Sequence, residues 1–137
     1  MSFQPADGNW TSKYLPTKAS TAYAVGELLQ NDGTDNIVAT TASTRHVGIV
    51  DQAKSASDAT TGKIKVLVPR SPQAKMYGDV GSGTPAVANI GKRCDLATAS
   101  TVAWGTDTHH QLVIEGYISA TRGLFSLNSM NETSDAS

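Results

Sequence analysis

A chain of 137 residues with a formal net charge of -1 fits one domain and can bury a core without a disulfide or a metal. Its 11 Lys and Arg form no basic run, which argues against nucleic-acid binding, and no apolar stretch nears the roughly 20 residues of a membrane span. A single Cys excludes an internal disulfide framework, and sparse charge with 12 Gly and abundant Thr and Ser favours strands and turns over helices.

Residues 1–22 are polar and carry Pro5 and Pro16, yet they also hold Phe3, Trp10, Tyr14 and Leu15. A disordered tail rarely keeps so many large apolar groups. This segment is expected to be an extended arm that packs on its own domain or on a neighbour. Its first ten residues lack the basic and apolar regions of a signal peptide, so cytoplasmic synthesis is expected.

Residues 23–128 read as a β-rich domain. Apolar runs at 23–31 and 36–41 flank Asp32-Gly33-Thr34-Asp35, a hairpin signal. A further strand is expected at 46–52. Residues 63–69 alternate, with Ile64, Val66 and Val68 on one face and Lys63, Lys65 and Leu67 on the other. Residues 73–77 and 92–96 are less regular strand candidates. Residues 112–119 alternate again, Arg122-Gly123 offers a turn, and 124–127 closes the domain. Helical turns fit only 55–61 and the stretch near Val87, and neither has an apolar stripe. The expected fold class is all-β, a small barrel or sandwich. Residues 129–137 contain no apolar anchor beyond Met130 and are expected to be a flexible polar tail.

Catalytic groups do not converge in the sequence. The three histidines, His46, His109 and His110, come with no Gly-x-Ser-x-Gly elbow. Asp107-Thr108-His109-His110 is the best metal-like cluster, but neighbouring strand residues face opposite ways, and two ligands fall short of a zinc site. A solvated loop accounts for it. Asp32 to Asn36 lacks calcium-loop spacing and reads as a turn. Gly81-Ser82-Gly83 has no following helix and reads as a flexible loop. Cys94, beside Lys92 and Arg93, is read as a small buried hydrophobe rather than a reactive thiol. Trp104 suits a core or a subunit interface; Trp10 suits a partner contact or packing on its own domain. No enzyme activity and no cofactor or metal are expected.

The order of short motifs carries a resemblance. Ala24-Val25-Gly26-Glu27-Leu28-Leu29, Ile37-Val38-Ala39 and His46-Val47-Gly48-Ile49-Val50 are followed by Lys63-Ile64-Lys65-Val66-Leu67-Val68 and by a strand from Gly91 to Leu96. Leu112-Val113-Ile114-Glu115-Gly116-Tyr117-Ile118 ends the series. Over about residues 22–127 this progression resembles the capsid decoration, or cement, proteins of tailed bacteriophages. The resemblance implies a structural virion protein on the outer capsid surface at capsomer junctions. Its partners would be the major capsid protein and itself, as a homotrimer, with no nucleic acid and no membrane. Phe3, Trp10, Tyr14 and Leu15 are the expected arm contacts to capsid or neighbouring subunit. The alternative is another phage component: a head fibre base, a tail protein or a host-binding protein.

Overall fold

The computed structural model describes residues 3–43, 45–57 and 62–128. Within them the chain is all-β, as expected, and forms two sheets. The strands are β1 (Gln4–Pro5), β2 (Trp10–Pro16), β3 (Leu28–Asn31), β4 (Asn36–Val38), β5 (His46–Val50) and β6 (Lys63–Pro69). They continue with β7 (Lys75–Ser82), β8 (Arg93–Thr98), β9 (Thr101–Ala103), β10 (Leu112–Ser119) and β11 (Arg122–Leu127). A 3-10 turn at Val87–Asn89 matches the helical turn expected near Val87. The other expected turn, at 55–61, falls largely outside the described residues, and the expected tail at 129–137 falls wholly outside them.

One sheet has the order β2-β6-β5-β3-β4, antiparallel throughout. In the other, β1 lies beside β7, and the ladder runs β7-β11-β10-β8-β9. There β9 also pairs in parallel with the far end of β7, through Asp79–Thr101 and Val80–Val102. The pairings therefore close into an unbroken ring of five strands, which leaves β7, β8, β9, β10 and β11 with few free edges.

The alternation in β6 explains how the layers join. Leu67 packs into a large core with Phe3, Leu28, Ile49, Met76, Leu96, Trp104, Leu112, Ile114 and Phe125, drawn from both sheets. Ile64 and Val66, on the opposite face of the same strand, join Tyr23, Leu29 and Val50 in a second cluster. Ile64, Val66 and Phe125 are each at most 2% exposed. Each such side chain contributes about 2 kcal/mol by leaving water. Trp104 belongs to the core: its ring meets Phe125 edge-on at 5.8 Å, and its indole N–H donates to Asn89 Oδ1 at 2.9 Å.

Residues 3–16 supply an edge strand to each sheet, so the expected arm packs on its own domain. Phe3 is 1% exposed, and β2 pairs along its whole length with β6. Arg122 anchors the short β1, reaching Gln4 Oε1 and Asp79 Oδ1, both at 2.9 Å, while lying over the Tyr77 ring.

Three local expectations need correction. The expected turn at Arg122-Gly123 is strand, and the chain reverses at Ala120-Thr121 instead. A Cβ at Gly123 would stand 2.8 Å from Trp104 Cζ3, so a glycine is needed there for ring packing rather than for a turn. Gly81-Ser82-Gly83 is no loose loop either. β7 runs on to Ser82, and a Cβ at Gly81 would meet Thr101 Oγ1 at 2.7 Å. The expected strand from residue 23 starts only at Leu28, because Gly26 turns the chain with a φ of 92°. The Asp32 turn follows expectation. Its Oδ1 accepts the N–H groups of Thr34 and Asp35, and Gly33 takes a φ of 101°.

Candidate interaction surface

The polar groups inside the molecule hold the fold. Gln111, fully buried, spans the two sheets. Its Oε1 accepts the Leu96 N–H at 2.8 Å, and its Nε2 donates to Ser43 O at 2.7 Å and Thr40 O at 3.0 Å. Ser43 Oγ lies 2.8 Å from His46 Nε2, a Ser-His pair with catalytic spacing. Both residues are at most 5% exposed, and Ser43 Oγ is taken up by bonds within its own turn, to the Thr40 carbonyl and to His46. A nucleophile and base must be accessible to act.

The 107–110 loop has the same structural character. Asp95, buried in β8, accepts the N–H groups of Thr108 and His109 at 2.8 and 3.0 Å. His109 Nδ1 lies 3.6 Å from Asp95, whereas His110 Nδ1 lies 2.6 Å from Asp107. The two histidines thus go to different carboxylates. Among the described residues no group of three His, Cys, Asp or Glu side chains is placed to hold a metal ion. Cys94 is buried, and burial, with Asp95 and Asp107 nearby, pushes its thiol up to about 12. The adjacent Lys92 and Arg93 do not activate it: desolvation of the thiolate is the largest cause, and both nearby carboxylates act in the same direction.

The four expected contact residues are scattered. Phe3 is engaged in the core, where its N–H also donates to Gly26 O, so its ring is not available to a partner in this fold. Trp10 is half-buried against the main core, and its indole N–H donates to Lys75 O at 2.9 Å. Leu15 packs against the second cluster. Tyr14 alone is strongly exposed, at 63%.

Sequence reasoning missed another surface. Among the described residues, Val87, Ile90, Tyr117 and Ile118 account for four of the six large exposed hydrophobic residues. They lie on two adjoining pieces of chain, the 3-10 turn and the end of β10. Gly91 N donates to Ile114 O at 2.7 Å, and Ile114 N donates to Lys92 O at 2.8 Å, which lays residues 90–92 alongside β10. Residues 84–91 and 116–121 carry no charge in a chain that is 17% charged. Exposed apolar groups on neighbouring uncharged segments are candidates for a contact surface. The signal in the sequence was this charge gap; periodicity could not show it. A hollow nearby, about 690 Å³, is open and is lined by Lys92, Arg93, Asp107 and Asn128 among others.

The chain was compared with family models, with curated proteins and with solved structures, and it matches none of them.

Proposed function

We propose that this protein is a non-catalytic structural component of a tailed-phage virion, bound to the outer capsid surface at capsomer junctions, where it stabilises the shell. The observation that supports the reading is the exposure of Val87, Ile90, Tyr117 and Ile118 on two neighbouring uncharged stretches of surface, in a domain whose internal polar groups serve the fold. Such a surface suits protein contact rather than catalysis. Its partners in this reading are the major capsid protein and two further copies of itself. A trimer presents three copies of a modest contact, and once one has docked the others bind at high effective concentration.

The test is co-sedimentation of the purified protein with stripped capsids before and after shell expansion, counting bound copies against the major capsid protein. The expected result is saturation at a fixed high ratio, lost in an Ile118→Asp, Val87→Asp double variant that keeps the wild-type melting temperature. Failure to bind any capsid state refutes the reading. Binding at a few copies per particle moves the assignment to a fibre or tail component.

A further inference from the structure

Among the described residues the sheet β2-β6-β5-β3-β4 has no strand beyond β2, a seven-residue strand with Ser12, Lys13, Tyr14 and Pro16 exposed. Which backbone groups face outward follows from the ladder. Arg70 N donates to Asn9 O and Thr17 N donates to Gly62 O, one at each end of the β2–β6 pairing. Hydrogen-bonded pairs alternate along an antiparallel ladder. Residues 9, 11, 13, 15 and 17 therefore turn their N–H and C=O towards β6, and Ser12 and Tyr14 turn theirs away. The Pro16 carbonyl, outward by the same alternation, is taken by Asn36 Nδ2 at 3.1 Å, which closes that end.

Charge decides what the open part accepts. Tyr14 stands opposite Lys65, and Pro16 opposite Lys63, so Tyr14, Lys63 and Lys65 share one face of the edge; Lys13 projects from the other. Lys65 is paired with Asp51 at 3.2 Å, whereas Lys13 and Lys63 form no ion pair among the described residues. Two-fold pairing of β2 with β2 of a second copy would set the two Lys13 side chains opposite or diagonal to each other, a repulsive arrangement.

We propose that the free edge of β2 docks an extended, acidic segment of a partner protein as an added strand bonded to Ser12 and Tyr14. Backbone pairing supplies the contact, and carboxylates on alternate residues meet Lys13 on one face or Lys63 and Lys65 on the other. This inference is independent of the virion reading.

Fluorescent nonapeptides alternating Val with Glu, Lys or Thr are titrated against the full-length protein and followed by anisotropy, with amide exchange read at Ser12 and Tyr14. The Glu peptide is expected to bind, the Lys peptide at least about tenfold more weakly, and both amides to exchange more slowly. Ser12→Pro removes an outward donor and no bond to β6, so it should abolish binding and keep the fold. Lys13→Glu should weaken the Glu peptide by about fivefold. Equal binding of Glu and Lys peptides, absence of binding, or undiminished binding by Ser12→Pro overturns the proposal. Dimerisation without peptide that Ser12→Pro abolishes would assign the edge to a second copy, and also overturns it.

Discussion

Replacing Gln111 with Leu tests whether one buried amide joins the two sheets. The side chain is fully buried, and its loss orphans particular groups. Leu96 N–H loses its acceptor, and Ser43 C=O loses its only donor among the described residues. Thr40 C=O is less affected, because it keeps the Ser43 N–H at 3.2 Å and the Ser43 hydroxyl at 2.9 Å. Each newly unpaired buried group costs about 1–3 kcal/mol, so the expected loss is about 4 kcal/mol. A domain of this length has about 10 kcal/mol of stability in all, and its Tm moves by roughly 3.5 °C per kcal/mol. The expected fall is therefore about 14 °C. Urea unfolding followed by tryptophan fluorescence measures the free-energy loss, and a thermal scan with the same probe the shift in Tm, since Trp104 lies in the main core. Ser43→Ala removes one hydroxyl with its bonds to the Thr40 carbonyl and His46 Nε2 and should cost about 2 kcal/mol, less than Gln111→Leu. A loss below about 1 kcal/mol in Gln111→Leu would refute the reasoning, because solvent would then be serving the orphaned groups.

Gly48→Ala should destabilise by about 3 kcal/mol in the same assay, because its Cβ would overlap the Leu67 carbonyl oxygen, whereas Gly105→Ala, with open space around it, should be near neutral. Phe3→Ala should cost about 3 kcal/mol, since the ring is 1% exposed; an unchanged urea midpoint would mean that the first strand is dispensable. Cys94 should resist thiol reagents in the native state and react only on unfolding. The folded protein keeps a thiol proton that the unfolded chain gives up near pH 9, so the Cys94 contribution to stability is full below that pH and is lost as pH rises towards about 12. Tyr23, also raised by burial, steepens the same decline above pH 10. Cys94→Ala should flatten the alkaline limb in denaturation curves taken from pH 8 to 11.

Strands buried on a face were legible because their neighbours impose alternation. β6 and β10 have the bounds their patterns indicated, 63–69 and 112–119. Trp10–Pro16 was not legible as a strand: an edge is half-exposed, and Thr11, Ser12 and Lys13 show no buried set to alternate with. β9 is three residues long, too short to carry a period. Gly81 and Gly83 looked like a loop because glycine signals both flexibility and close approach, and only the placement of Thr101 and Trp104 tells which applies. The docking edge was hidden for a related reason. Its openness depends on what does not lie beside β2, a property of the whole sheet order. The apolar surface depends likewise on residues 87–90 lying against β10.

The ring of five strands also orders events during folding. β10 and β11 are joined by two residues and can pair as soon as both exist, on the microsecond scale of hairpins. β2 has to wait for β6, about fifty residues later, and the parallel β7–β9 contact needs the intervening chain to be in place. On the ribosome, therefore, β1 and β2 are the first strands made, and both wait for partners, β7 and β6, that emerge much later. Until β6 emerges, Trp10 to Pro16 is open on both sides, and the nascent chain is then most prone to pair with other copies of itself.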